Sequence, residues 1–427
     1  IVAGDGNDTV TSGTGSDYVE GGAGNDNITV STGDDTVDGG AGNDTITVQT
    51  LSNGDSLVGG DGTDTLTIAA ISSTSTPKNI SGMETVNITS LGGGAAGIDL
   101  DLTNVSSLAS LTSTNTTTGA VTLNIKNAPS SLATVNLDDS GAGAGDTLAI
   151  TYATGPSALV FNARDVTNTA TNITSLNAPL TVNGILNTNL AGTAQAYDAT
   201  QVSSLGTMTT DATTMAFTTD ALGVGIAGAT NTLTVGAITN NVLESVSITT
   251  GANSNADISN GNITTTNTEF TTATVNAGAN SILVVGEFVA DSAAGAVTVD
   301  IDGGDGSSIT IGNASSTFDA AAVTMDINLG DQATIVSGQA IVGNTITSNT
   351  VTVGAGVGAV GALVTIPGPE VDAVTGTIGA STIDAGILSY IHQTIGGTTN
   401  AAHVGAITAT GGGHIKVTLG AQNAATY

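Results

Sequence analysis

The sequence has no cysteine, no tryptophan and only four basic residues among 427. Without cysteine, no disulfide can stabilise the fold and no thiol can act as a nucleophile. Against 36 acidic residues, the four basic ones leave a formal net charge of −32. This charge excludes ordinary nucleic-acid binding, which needs a basic surface, and it disfavours attraction to anionic membranes. No apolar run approaches the roughly 20 residues of a membrane-spanning helix.

Arrangements typical of catalysis are also missing. The three histidines, His392, His403 and His414, do not form the His-Glu-x-x-His zinc pattern, and no Gly-x-Ser-x-Gly elbow joins a strand to a helix. Carboxylate pairs can hydrolyse glycosides. With only five Phe and five Tyr, however, the chain is poor in the aromatic platforms that sugar clefts use. We therefore expect that the chain is not an enzyme.

What the sequence does have is seven consecutive glycine- and aspartate-rich units in residues 1–68, nine residues long except for one with two extra residues. The clearest unit reads G-G-A-G-N-D-T-I-T, from Gly39 to Thr47. The aspartates at the sixth position are Asp8, Asp17, Asp26, Asp35, Asp44, Asp55 and Asp64. The apolar residues two positions later are Val10, Val19, Ile28, Val37, Ile46, Leu57 and Leu66. A flexible linker would not keep this pairing, so the units predict an ordered repeat with a thin apolar core.

These units have the chemistry of a calcium site. Glycine lets the backbone turn tightly and present carbonyl oxygens, and aspartate supplies the hard oxygen ligands that Ca²⁺ prefers. Residues 1–68 hold eleven Asp and Glu20 but no basic residue. Such a segment repels itself unless cations neutralise it. We therefore predict Ca²⁺ as the cofactor of this region.

The units match the pattern G-G-x-G-x-D-x-U-x, and the segment resembles the RTX calcium-binding parallel β-roll. The resemblance implies two nonapeptides per turn. Asp8, Asp26 and Asp44 would then share one stack, and Asp17 and Asp35 the opposite one. It also implies type I secretion in an unfolded state and calcium-triggered folding outside the cell.

Beyond the repeats, short segments alternate β-branched apolar residues with Thr or Asn between Gly, Asn and Ser turns, as half-buried strands do. We predict an all-β fold, with the β-roll followed by β-solenoid or β-sandwich modules. The predicted divisions are the roll at 1–68, a transition at 69–95, and two β-rich modules at 96–250 and 251–427. Residues 83–89 and 243–249 are similar to each other, which favours two related modules.

Three further sets of oxygen-bearing side chains share the spacing 0, +2, +5. They are Asp99, Asp101 and Asn104; Asp300, Asp302 and Asp305; and Asp326, Asn328 and Asp331. On a strand the first two side chains lie on one face, and the third returns from the next turn. A cation between such carboxylates would relieve their repulsion. Each set is therefore a candidate calcium site, and the alternative is a polar strand edge that enters an Asx turn.

The Ala-, Thr-, Gly- and Asn-rich remainder, with strands such as Gly82-Met83-Glu84-Thr85-Val86-Asn87-Ile88, resembles the crystalline region of bacterial RTX surface-layer proteins. This resemblance implies an extracellular structural protein at the bacterial cell surface that self-associates into a layer, sheath or filament. It also implies attachment to surface polysaccharide through a region that these residues do not supply. Two alternatives stay open: a segment of an RTX adhesin, and the non-catalytic RTX region of a secreted enzyme.

Overall fold

The fold is built from β-strands. The computed structural model describes residues 1–71, 75–89, 98–115, 120–139, 146–164, 166, 168–184, 200–220, 230–258, 263–286, 288–290, 295–311, 316–318, 322–337, 341–343, 346–353, 363–367, 370–371, 377–385, 390–395, 403–404, 407–411 and 414–419. Every regular element in these ranges is a strand, and none of the described residues forms a helix that is long and apolar enough to cross a membrane. The all-β prediction is confirmed.

Residues 1–182 and 203–211 form one compact unit. Its first ten strands are β1 Val2–Asp5, β2 Thr9–Thr11, β3 Tyr18–Ala23, β4 Asn27–Val30, β5 Thr36–Ala41, β6 Thr45–Val48, β7 Ser56–Asp61, β8 Thr65–Ile68, β9 Asn79–Ser81 and β10 Thr85–Ile88. They alternate between two parallel sheets. The odd sheet is β1, β3, β5, β7 and β9, and the even sheet begins with β2, β4, β6, β8 and β10. Strands β9 and β10 lie in the segment predicted as a transition, and they continue both sheets of the roll.

Ten more strands follow along the chain, and those within residues 1–182 carry the same winding further. The ten strands are β11 Ile98–Asp101, β12 Ser110–Asn115, β13 Thr122–Ala128, β14 Thr134–Asp139, β15 Asp146–Tyr152, β16 Leu159–Arg164, β17 Asn168–Thr174, β18 Leu180–Gly184, β19 Thr200–Ser204 and β20 Thr207–Thr210. Strands β12, β14 and β16 extend the even sheet, while β11, β13, β15, β17 and β20 form another parallel sheet.

Residues 183–202 and 212–427 form the second unit. Its strands are β21 Thr214–Thr219, β22 Thr230–Thr234, β23 Ile238–Thr239, β24 Ser245–Thr250, β25 Asn255–Ile258, β26 Ile263–Thr265, β27 Thr272–Ala277, β28 Ile282–Val285, β29 Phe288–Ala290, β30 Ala296–Gly303, β31 Ser308–Ile311, β32 Ser316–Phe318, β33 Ala322–Leu329, β34 Thr334–Ser337, β35 Ile341–Gly343, β36 Ile346–Val353, β37 Leu363–Pro367, β38 Glu370–Val371, β39 Thr377–Ala385, β40 Tyr390–Ile395, β41 His403–Val404, β42 Ile407–Gly411 and β43 His414–Leu419. Three strands make up most turns of this unit, one in each of three parallel sheets. The predicted module boundary at residue 250 falls inside its ladder, because β24 and β27 pair in register on either side of it.

One or two apolar side chains per repeat unit build the core of the roll. Val19, Ile28, Val37, Ile46 and the leucines of the last two units are fully buried. The strands alternate inward apolar and outward polar residues, as in Thr-Ile-Thr-Val of β6 and Thr-Leu-Thr-Ile of β8. Parallel pairing in register places equivalent side chains directly above one another. Every feature that recurs in the sequence therefore becomes a straight row along the solenoid.

Candidate calcium-binding site

The repeat aspartates form two rows, one at the start of the even-sheet strands and one at the start of the odd-sheet strands. The even row is Asp8, Asp26, Asp44 and Asp64, and the odd row is Asp17, Asp35 and Asp55. Within a row, Oδ1 of each aspartate accepts the backbone N–H of the aspartate one turn earlier. In the even row these distances are 2.8, 2.8 and 2.7 Å. In the odd row they are 3.0 and 2.9 Å. The structure thus places the predicted side chains in the two stacks that the resemblance implied.

The second carboxylate oxygen is the informative one. Oδ2 is buried and has no hydrogen-bond partner in six of the seven aspartates: Asp8, Asp17, Asp26, Asp35, Asp44 and Asp64. Asp26, Asp35, Asp44 and Asp64 are themselves at most 2% exposed. A buried carboxylate oxygen without a partner costs free energy, so an ion or donor that faces it stabilises the fold.

The orphaned oxygens of Asp26, Asp44 and Asp64 in the even row each face a space bounded by a backbone carbonyl. The point where a Cβ on Gly39 would lie is 2.5 Å from Asp44 Oδ2 and 2.5 Å from the carbonyl oxygen of Gly59, one turn later. The same combination of oxygens surrounds Gly21, with Asp26 Oδ2 and the Gly39 carbonyl. Only glycine leaves this space open. Carboxylate and carbonyl oxygens that converge on a small space are a ligand set that suits Ca²⁺.

Among the described residues, no three His, Asp or Glu side chains gather closely enough to hold a metal by themselves. This agrees with the even-row geometry, where the side chain supplies one carboxylate oxygen and the backbone supplies others. The residues that would hold Ca²⁺ there are the row aspartates through Oδ2 and the glycines through their carbonyls. When bound, the ion supplies the positive charge that the row lacks.

Ionising the buried aspartates of the rows costs free energy. Burial raises the pKa of Asp44, Asp55 and Asp64, and the neighbouring carboxylates in each row raise it further. Raised pKa values mean that the environment opposes ionisation. A divalent cation reverses this, because it favours the ionised carboxylate.

Two side chains outside the nonapeptide pattern join the rows. Ser52, from the unit with two extra residues, donates its backbone N–H to Asp55 Oδ2 at 2.8 Å and its hydroxyl to Asp55 Oδ1 at 3.1 Å. Asp55 is therefore the one row aspartate whose Oδ2 has a protein partner. Glu84 accepts the N–H of Asp64 at 2.8 Å. Sequence reasoning missed both, although Glu84-Thr85-Val86 repeats the acidic–polar–apolar order of Asp64-Thr65-Leu66.

The sets at Asp300 and Asp326 were predicted as separate sites, and the structure brings them together. Asp300 pairs with Asp326, and Asp302 with Asn328, on the adjacent strands β30 and β33. Asn328 donates to Asp302 Oδ1 at 3.2 Å, while Oδ1 of Asp326 is buried without a partner. Burial and then the charges of Asp302 and Asp326 raise the pKa of Asp300. These four side chains form one acidic patch across two turns of the solenoid.

The third members of those sets lie elsewhere. Asp305 and Asp331 are exposed in the turns after β30 and β33, and Asp305 Oδ1 accepts the N–H of Asp331 at 2.8 Å. This bond links the two stacked turns.

In the set of Asp99, Asp101 and Asn104, a lysine side chain of the protein itself supplies the positive charge. Lys126 Nζ lies 2.5 Å from Asp99 Oδ2, and Asn124 donates to Asp99 Oδ1 at 2.7 Å. These bonds hold the pKa of Asp99 below its usual range. At Asp101, burial opposes ionisation, but hydrogen bonds from Asn127 and Thr103 outweigh it and lower the pKa. Both oxygens of Asp99 are satisfied, so this set does not have the orphaned atoms that distinguish the rows of the roll.

Comparison with known proteins identifies the repeats. A family described as the RTX calcium-binding nonapeptide repeat (four copies) matches residues 1–28 and 20–50. Residues 1–50 are RTX calcium-binding repeats. Repeats of this kind bind calcium and are typical of secreted bacterial proteins. No curated protein and no solved structure matches the chain.

The open space beside Gly39 gives a sharp test of the RTX site. Gly39→Ala places a methyl group against Asp44 Oδ2 and the Gly59 carbonyl, closer than real Cβ contacts occur. We expect calcium affinity to fall roughly tenfold or more, equivalent to about 1.4 kcal/mol. Calorimetric titration of the full chain measures it. Gly13→Ala is the matched control, because a Cβ there meets nothing within 4 Å. Equal affinity in both variants would contradict the assignment.

The raised pKa values predict opposite effects of acid with and without calcium. A raised pKa in the folded state means that the folded chain binds protons before the unfolded chain does as pH falls. In chelator, stability of the roll should therefore rise as pH falls from neutral towards the ordinary carboxyl value of 3.8. In calcium, protons displace the ion and stability should fall over the same range. Hydrogen exchange of peptides from residues 40–68 measures the local stability of the roll at each pH. If stability changes with pH in the same direction in chelator and in calcium, the prediction is refuted.

Proposed function

We propose that the protein is an extracellular, calcium-dependent structural protein that self-associates into a surface layer, sheath or filament. The observation that carries this proposal is the uneven distribution of charge over the roll. A molecule with a net charge of −32 repels its own copies. Association therefore requires a neutral surface, bound cations, or both.

The outward face of the first six strands of the even sheet is such a neutral surface. The outward side chains of β2, β4, β6, β8, β10 and β12 are all Thr, Asn or Ser. They are Thr9, Thr11, Asn27, Thr29, Thr45, Thr47, Thr65, Thr67, Thr85, Asn87, Ser110, Thr112 and Thr114. We call this set the even-sheet face. It contains no charged side chain, whereas Glu20 and Asp38 point outward from the odd sheet.

Short hydroxyl and amide side chains suit a contact between copies. The hydroxyls of Thr45, Thr47, Thr65 and Thr67 make no hydrogen bond to any described residue, so they remain able to bond to another molecule. Ordering a threonine costs less side-chain entropy than ordering Lys or Glu. Two identical faces also share the same strand spacing of about 4.8 Å. The face therefore matches a second copy of itself along its whole length.

The size of the face points to repeated weak contacts. Six strands at about 4.8 Å give a length of roughly 29 Å, and three residues at about 3.3 Å give a width of roughly 10 Å. This area is below the roughly 800 Å² per partner of a standard stable interface. A single pair of faces should bind weakly, and an extended assembly gains strength from many such contacts. Calcium contributes by folding the roll and by neutralising its aspartate rows.

The absence of cysteine provides a clean test, since one introduced cysteine reports one position. Thr67→Cys lies in the middle of the even-sheet face, and Thr36→Cys is the control on the outward side of the odd sheet. In about 10 mM Ca²⁺, above the ~10⁻⁴–10⁻³ M range of extracellular calcium modules, we expect ordered sheets or filaments in electron micrographs. In these, Thr67→Cys should form disulfide-linked dimers and Thr36→Cys should not.

The outcomes separate the parts of the proposal. Assemblies in which Thr36→Cys cross-links as well as Thr67→Cys would refute the even-sheet face but keep self-association. A chain that stays monomeric in calcium, with isolated rods in micrographs, would refute the structural-layer function, and the adhesin interpretation would take its place.

A further inference from the structure

The even row of aspartates does not end with the last repeat unit. Thr65 of β8 pairs with Thr85 of β10, so the residue before β10 occupies the next position of the row. That residue is Glu84. Its Oε2 accepts the N–H of Asp64 at 2.8 Å, which is the same contact that Asp64 Oδ1 makes with Asp44 N–H at 2.7 Å. Glu84 thus replaces an aspartate in both register and hydrogen bonding.

The space between these two turns has the same shape as the spaces above it. Oδ2 of Asp64 is buried and has no partner, and Asp64 itself is 0% exposed. The point where a Cβ on Gly59 would lie is 2.5 Å from this oxygen and also contacts the carbonyl oxygen of Gly82. Gly82 lies outside the nonapeptides, but its carbonyl oxygen borders the space beside Asp64 as the Gly59 carbonyl borders the space beside Asp44.

We propose that Glu84 is the terminal calcium ligand of the even row, acting with Asp64 Oδ2 and the Gly82 carbonyl to hold one more ion than the nonapeptide repeats define. The offset between Asp64 and Glu84 is 20 residues, the same as between Asp44 and Asp64, so Glu84 stands where the next aspartate of the row would stand. The inference rests on the calcium binding of the repeats and does not depend on assembly into a layer.

The odd row ends differently. Ser52 donates to both oxygens of Asp55, so protein donors already occupy the positions that a cation would take. Ser56 of β7 pairs with Asn79 of β9, which places Lys78 at the next position of that row. A lysine adds positive charge where the even row adds a carboxylate. The two edges of the roll should therefore hold different numbers of calcium ions at this end.

The test is the number of calcium ions bound by the full chain, measured by equilibrium dialysis with metal analysis at saturating calcium. Glu84→Gln keeps an oxygen that can accept the Asp64 N–H but removes the charge. It should bind one calcium fewer per chain than the unsubstituted protein. Glu244→Gln is the matched control. Glu244 precedes β24 as Glu84 precedes β10, but its side chain is exposed and far from the aspartate rows in sequence. It should bind the full number.

A second variant keeps the test decisive if Glu84→Gln folds poorly, which far-UV circular dichroism in calcium would reveal. Glu84→Asp retains a carboxylate at the position and should bind the full number of ions, with weaker affinity for the last one. An unchanged count in folded Glu84→Gln would overturn the proposal. Equal losses in Glu84→Asp and Glu84→Gln would overturn it as well. Neither result would bear on self-association, which has a separate readout.

Discussion

The roll depends on buried aspartate carboxylates in which, for the most part, only one of the two oxygens has a hydrogen-bond partner within the chain. From the second aspartate of each row onwards, one carboxylate oxygen accepts a bond from the backbone of the preceding turn, and this bond sets the stacking register. The other oxygen is buried without a partner in six of seven cases. One or two apolar side chains per repeat unit offer little burial to offset chain entropy. A cation bound to these oxygens would add stabilisation, and folding of this segment would then depend on the calcium of the surroundings.

The two compact units handle negative charge by different means. In the roll, acidic side chains are concentrated in rows, and residues 1–68 contain no basic residue, which suits a divalent ion. Further along the first unit, Asp99 pairs with Lys126 and Asp138 pairs with Arg164. Three of the four basic residues of the chain therefore lie in that unit beyond the repeats. In the second unit, Asp300, Asp302 and Asp326 form a patch on adjacent strands, and the described residues show no lysine or arginine paired with it.

Local periodicity made the roll predictable from the sequence. Asp44 and Ile46 stand at fixed positions in a nine-residue unit, so their stacking and burial follow from the repeat alone. The site at Glu84 was missed because an insertion changes the spacing and a different acid takes the place of aspartate. The relation between Asp300 and Asp326 was also not recognised. They lie one solenoid turn of 26 residues apart, and turns of variable length hide this period.

The surroundings of Asp99 and the architecture of the second unit could not be predicted, because both depend on residues that are far apart in the sequence. Nothing in the spacing of Asp99 and Asp101 shows that Lys126 arrives from the next turn of the solenoid to neutralise them. Parallel ladders from β21 onwards likewise resolve the choice between solenoid and sandwich in favour of the solenoid. That choice depends on which strands pair, and alternating apolar residues are compatible with both.

The most direct measurement is a crystal structure of the calcium-loaded chain with anomalous diffraction recorded at long wavelength, where calcium scatters anomalously. The account predicts a row of anomalous peaks about 2.3–2.6 Å from Oδ2 of Asp26, Asp44 and Asp64, each also close to a glycine carbonyl of the following turn. If these oxygens instead contact only water or protein donors, and no anomalous peak lies beside them, the claim that calcium holds the roll together is contradicted.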